Sequence, residues 1–198
     1  MTQKKEVRSI SEAPVAGEGR RIEGYAIVWE VESRVLADWD GEFVEVIARD
    51  AVSDELLANC DVKALFNHNR DDLLARYVNG GGTLSLTRDD HGLKFAFDAP
   101  ATSAGNDVLE LVRRGDLRGC SFAFTTDDAE CSMREDGVRL RRVRKLSGLY
   151  DVSIVVDPAY TQTSVDARAF EPVEPQTEYL PAVERRRAVL KKLFNPKK

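Results

Sequence analysis

At 198 residues, with 42% hydrophobic and 32% charged side chains, the chain is long enough for one well-packed domain with some length left over for tails. A net charge of −5 provides no overall basic field of the kind that dominates phosphate-backbone binding, so nucleic acid is not the expected partner. There is no run of about 18 apolar residues, and the opening MTQKKEVRSI lacks the apolar stretch of a signal peptide, so no membrane partner is expected and the cytosol of the producing cell is the expected location.

Residues 1–20 are polar and include APVAGEGR; they read as a flexible leader that would hold at most a short edge strand. RIEGYAIVWE (21–30) is β-branched and aromatic, and EFVEVIARD (42–50) sets Phe43, Val44, Val46 and Ile47 among acids, so both read as strands. Ser53 is placed to cap a short helix carrying Leu56 and Leu57. VKALFNHN (62–69) reads as a brief apolar strand ending in polar residues. The segment 79–100 reads as a β-hairpin: TLSLT and LKFAF alternate, and Asp89-Asp90-His91-Gly92 between them is turn chemistry. SAGNDVLELVRRGDL groups Val108, Leu109, Leu111 and Val112 before a stop at Gly115, the pattern of an amphipathic helix. CSFAFTTDDAE, VRLRRVRKL and LYDVSIVVDPAY supply three further strands, with REDG as the turn between the first two. Beyond Thr163 the pattern fades into a linker with Pro172, Pro175 and Pro181 and a basic tail, ERRRAVLKKLF.

The expected organisation is therefore a leader (1–20), one domain (21–168), and a linker with a C-terminal tail (169–198). Strands and helices do not alternate strictly, which favours an α+β fold over a doubly wound sheet. The expectation is a mostly antiparallel, β-barrel-like domain with flanking helices.

The chain has only two histidines. His91 lies in the hairpin turn, where polarity explains it. His68 stands where an apolar strand meets a loop, a place from which scaffolds present reactive side chains. Ser121 follows Gly119 and Cys120 and opens the strand SFAF, so Phe122 and Phe124 would anchor a strand whose first hydroxyl emerges at the rim of the core. A hydroxyl is a weak nucleophile until a base takes its proton, and imidazole, titrating near ~6.5, suits that role. Position 123 is Ala, so this is not the Gly-x-Ser-x-Gly elbow. Cys120 is the rival nucleophile, but alternation sends it to the opposite face from Ser121, so only one of them can meet His68. Asp151 sits among Leu149, Tyr150, Val152 and Ile154, and a buried carboxylate needs either an imidazole N–H or a cation such as Arg139, Arg141 or Arg142. Two histidines without His-x-x-x-His or Cys-x-x-Cys spacing leave no metal ligand set, so neither metal nor cofactor is expected. Cys60, Cys120 and Cys131 form no disulfide framework.

Four blocks, EGYAIVWE, ALFNHNRDDLLARYVNG, GNDVLELVRRGDLRGCSFAF and LYDVSIVVDPAYTQTSV, resemble the prohead (capsid maturation) serine proteases of tailed phages. These are similar in fold to the herpesvirus assemblin proteases, and the resemblance covers roughly Arg21 to Arg168. It implies His68 as general base, Ser121 as nucleophile, and Asp151, where many relatives carry Glu, as the acid that orients the imidazole. Herpesvirus relatives use a second histidine in that third place, for which His91 is the poorer candidate here. The resemblance further implies cleavage of the scaffold or delta segment of the major capsid protein, and then of the protease itself, inside the prohead in the host cytoplasm, with self-association among relatives. Gly80-Gly81-Gly82 or the Gly119–Ser121 backbone would supply oxyanion donors, and the basic tail would dock on acidic scaffold coils. A non-catalytic capsid or scaffold assembly protein sharing the fold, and a serine esterase, are the alternative readings.

Overall fold

The computed structural model describes residues 5–10 and 12–156. The linker and basic tail expected over 169–198 lie outside the described residues. Twelve strands and two helices follow in the order β1 (Glu6–Ile10), β2 (Val15–Ala16), β3 (Arg21–Val28), β4 (Leu36–Asp38), β5 (Gly41–Ile47), α1 (Asp54–Asn59), β6 (Asp61–Phe66), β7 (Asn69–Val78), β8 (Gly81–Gly82), β9 (Leu84–Arg88), β10 (Gly92–Asp98), α2 (Ser103–Arg114), β11 (Gly119–Met133) and β12 (Arg139–Val155).

The strands form two sheets. The larger runs β1-β11-β12-β6-β7-β8, with β5 also on β12 and β4 on β5; the smaller is β2-β3-β10-β9. The α+β expectation stands in its coarse form, mostly sheet with few helices. The barrel does not: among the described residues the hydrogen-bonded strands form two separate sheets and no closed barrel. Antiparallel pairing dominates, and parallel pairing occurs where β12 meets β5 and β6.

The long β12 corrects the sequence reading. VRLRRVRKL and LYDVSIVV are one strand, because Ser147 and Gly148 stay extended instead of turning. Its first half pairs with β5 (Arg139↔Phe43 to Val143↔Ile47) and its second half with β6 (Asp151↔Lys63 to Ile154↔Phe66). One strand thus ties two parts of the chain together. β7 was absent from the sequence expectations: its start, Asn69-Arg70-Asp71-Asp72, is polar, and register shifts against β6 break the alternation by which strands are recognised. Glu6–Ile10, within the expected leader, pairs along its whole length with β11, from Glu6↔Phe124 to Ile10↔Cys120.

The helices begin and end as the sequence indicates. Ser53 Oγ accepts from Leu56 N at 3.1 Å to cap α1, and Thr102 Oγ1 accepts from Gly105 N at 3.2 Å to cap α2. Gly115 ends α2 with φ 75°, a left-handed conformation that costs glycine little. Val108, Leu109 and Val112 on its buried face join one apolar cluster with Phe95 and Phe97 of β10 and Phe122 and Phe124 of β11. Burying each such phenylalanine contributes roughly 1.5–3 kcal/mol. Alternation along β11 then sends the odd-numbered side chains 121 and 123 to the face away from those two rings.

Candidate active site

Ser121 and Ser153 stand directly opposite each other in the β11–β12 ladder, and Asp151 lies two residues before Ser153. Side chains two apart in a strand share a face, and opposed residues have Cβ atoms about 5 Å apart. Ser121, Ser153 and Asp151 therefore occupy one polar patch on one face of the sheet. All three are buried, at 0%, 2% and 4% exposure, and a buried polar group must find a partner within the fold.

His68 reaches the patch from the next strand along. β6 pairs with β12 up to Phe66↔Ile154, and the chain then reverses into β7 through a two-residue turn, Asn67-His68. Both turn residues have positive φ, 50° and 58°, as a type I′ hairpin turn requires. Asn and His tolerate that region better than most side chains. Two hydrogen bonds clamp the turn onto the end of β12 and the residue after it: Asn67 N donates to the Ile154 carbonyl at 3.0 Å, and Val156 N donates to Asn67 Oδ1 at 3.1 Å. The ring consequently lies over the ladder, with Nδ1 2.6 Å from Asp151 Oδ1 and Nε2 2.7 Å from Ser121 Oγ.

The carboxylate can only accept at Nδ1, so it favours the tautomer with the proton there and leaves Nε2 as the acceptor facing Ser121. The Ser121 hydroxyl has one proton and two acceptors in range, His68 Nε2 and the Arg8 carbonyl of β1 at 2.9 Å. Burial pushes the Asp151 carboxyl up, but the hydrogen bond and charge of His68, together with Lys5, outweigh it and hold the group below the usual carboxylate range. Lys5 Nζ lies 3.1 Å from Asp151 Oδ2. Asp151 therefore remains an anion at neutral pH, able to favour a positive charge on the imidazole.

The other candidate residues lie elsewhere in the same geometry. Cys120 lies in the apolar cluster on the opposite face, and burial pushes its thiol far above the ordinary value, so it carries no thiolate. His91 is half exposed in its hairpin turn, where its ring meets Tyr25 edge-on and its Nε2 lies 3.1 Å from Glu12. The arginines offered as partners for Asp151 are engaged elsewhere: Arg139 with Asp38 and Asp40, Arg141 with Glu6 and Glu45, and Arg142 with Glu30. Lys5, absent from the sequence expectations, takes the place proposed for them; it precedes the first strand, and nothing local in the sequence links it to Asp151. Ser153 was likewise missed, although its two-residue spacing from Asp151 in a strand was the available signal.

Of the two oxyanion candidates, Gly81 and Gly82 form β8, with Gly80 in the turn before it, four strands from β11 in the order β11-β12-β6-β7-β8, or roughly 19 Å along the sheet at the usual 4.8 Å spacing. Gly119–Ser121 is part of the strand that carries the hydroxyl, and Cys120 and Ser121 have a strand on each side. Among the described residues no group of three or more His, Cys, Asp or Glu side chains is arranged to hold a metal ion. No helix among them is long and apolar enough to cross a membrane.

The model of the caudovirus prohead serine protease family matches residues 4–176. Among solved structures, the bacteriophage T4 capsid assembly protease, gp21, is similar at 12% identity, covering 78% of this chain and 98% of that one, with a TM-score of 0.49. No curated protein matches significantly.

Proposed function

The chain belongs to the caudovirus prohead serine protease family, and on that premise we propose that it is a serine endopeptidase acting through Ser121, His68 and Asp151. The observation that carries the reading is the pair of contacts made by one imidazole, 2.7 Å to a buried serine hydroxyl and 2.6 Å to a buried carboxylate. Residues 53, 83 and 30 positions apart (68 to 121, 68 to 151, 121 to 151) converge there, and no helix or turn of local sequence enforces it.

In this mechanism His68 Nε2 accepts the Ser121 proton as Oγ attacks a peptide carbonyl carbon. The imidazolium so formed keeps its Nδ1–H on Asp151 and then gives the Nε2 proton to the leaving amine, which departs as the tetrahedral intermediate collapses to an acyl-enzyme. Water, deprotonated by the same nitrogen, releases the acid and restores Ser121. The substrates are the scaffold or delta segment of the major capsid protein and the protease chain itself, within the prohead in the host.

Incubating the protein with its capsid subunit and reading both by mass spectrometry tests this. Cleavage fragments that vanish in Ser121→Ala are expected. Intact subunit and intact protease with the unsubstituted protein would refute the reading, and hydrolysis of a small ester without peptide cleavage would replace it with an esterase.

A further inference from the structure

We propose that Ser153 is a positioning residue of this site, whose hydroxyl fixes the Asp151 carboxylate and the ring of His68 in register with Ser121. The inference rests on the hydrolase reading above for its importance to catalysis, but its geometry stands independently.

Ser153 Oγ donates to Asp151 Oδ1 at 3.0 Å and lies 3.1 Å from His68 Nδ1. The same carboxylate oxygen accepts from His68 Nδ1 at 2.6 Å. A hydroxyl whose proton points at Oδ1 turns a lone pair toward the Nδ1–H, so Ser153 supplies a second acceptor for the proton that fixes the ring tautomer. The three atoms form a closed triangle in which each side chain limits the rotation of the other two.

What makes this hydroxyl a reference point is its backbone. Ser153 is paired on one side with Ser121 of β11 and on the other with Leu65 of β6, so its Cα is held by strands on both flanks. Its side chain has one rotatable bond before the oxygen and is 2% exposed as a residue. Lys5, the other partner of Asp151, differs on each count: it precedes the first strand, has a long flexible stem and is 31% exposed at its side chain. Lys5 provides charge at Oδ2, and Ser153 provides direction at Oδ1. With Oδ2 held by the ammonium of a long-stemmed, partly exposed lysine, loss of the Ser153 hydroxyl frees the carboxylate to rotate about its own axis and carry Oδ1 away from Nδ1. Ser153 touches neither a substrate nor the reacting oxygen; it acts through Asp151 and His68.

The test uses the full chain and the fact that it has only two histidines, His68 and His91. Ring-nitrogen spectra of protein labelled with ¹⁵N-histidine then contain two sets of signals, and His91→Asn identifies which set is His68. Ser153→Ala removes the hydroxyl, Ser153→Cys keeps its branching but replaces it with a larger, weak donor, and Ser153→Thr retains it. In the Ala and Cys variants the Nε2–H tautomer of His68 is expected to gain population, and turnover of the capsid subunit to fall about ten- to a hundred-fold with KM unchanged, the size expected for loss of one hydrogen bond to a charged group. The Thr variant is expected to resemble the unsubstituted protein in both readouts. An unchanged His68 tautomer in Ala and Cys overturns the proposal, as does a folded Thr variant as impaired as Ala. If the unsubstituted protein cleaves nothing, the hydrolase reading fails, and the ring spectra still decide whether Ser153 positions His68.

Discussion

Replacing Glu45 with glutamine should destabilise the fold far more than its near-identical shape suggests. Glu45 is 2% exposed at its side chain and accepts from Arg8 Nε at 2.7 Å, Arg8 Nη2 at 3.0 Å and Arg141 Nη1 at 2.7 Å. Glu6 accepts from the same two guanidinium groups, from Arg8 Nη2 at 2.6 Å and from Arg141 Nη2 at 2.8 Å. The four groups, two positive and two negative, sum to zero charge in a region where no member is more than 19% exposed. Glu45→Gln leaves a net charge of +1 there and turns an amide NH₂ toward guanidinium N–H groups, so donors face donors. Breaking one partner of a buried ion pair costs about 3–5 kcal/mol. At about 2–4 °C per kcal/mol for a chain of this size, the melting temperature should fall by roughly 6–20 °C. Circular dichroism melts at neutral pH, in a Ser121→Ala background that removes the proposed nucleophile, measure this directly. The double variant Arg8→Met/Glu45→Leu, which removes a charge of each sign and keeps the volume apolar, should recover part of the loss. A Glu45→Gln melting temperature within about 2 °C of its parent would refute the view that this cluster holds β1 to the sheet.

Three further outcomes follow from the same structure. Glu6 and Asp151 both have folded-state carboxyl pKa values below the ordinary range: for each, burial pushes the value up, but the hydrogen bonds and charges of Arg141 and Arg8 (Glu6) and of His68 and Lys5 (Asp151) outweigh it. Their stabilisation is therefore present above the unfolded carboxylate range of about 4 and is lost as pH falls through the lower folded-state values. Melting temperature should accordingly be flat above about pH 5 and drop in acid, and a flat profile down to pH 2 would contradict it. A thiol reagent applied to native protein should modify Cys131, which is exposed, and spare the buried Cys60 and Cys120 until the chain unfolds, as thiol counts by absorbance would show. Gly92→Ala should destabilise by about 1–3 kcal/mol in denaturant melts, because a Cβ there would lie 2.0 Å from the Ile27 carbonyl oxygen and force β10 away from β3.

Much of the architecture was legible because its signals are local. The β9–β10 hairpin was read from Asp89–Gly92, α2 from its apolar stripe and Gly115, and β6 from an apolar run stopping at Asn67-His68. What escaped depends on pairing at a distance. β7 begins with four polar residues and is a strand because β6 and β8 flank it; β12 runs through Ser147-Gly148 because β11 pairs with it on both sides of that point. Sheet closure is a matter of which edges meet, and no period in the sequence encodes it, so the barrel expectation had no local check.

The candidate site divides along the same line. Alternation on a single strand suffices to separate Cys120 from Ser121, since placing Phe122 and Phe124 in the core sends Cys120 with them and Ser121 to the other face. Register then carries the decision across strands: a one-residue slip of β11 against β12 would set Cys120 opposite Ser153, turn the thiol toward His68 and bury the hydroxyl among the phenylalanines. What forbids that slip is the apolar set itself, because moving Phe122 and Phe124 out of the cluster forfeits roughly 1.5–3 kcal/mol for each ring. The packing of one face of β11 thereby fixes the chemistry of the other. Lys5 and Ser153, which hold the carboxylate, owe their places to that register as well: β1 enters it at Glu6↔Phe124 and Ser153 at Ser121, so their roles become visible only once strands from both ends of the described chain are laid side by side.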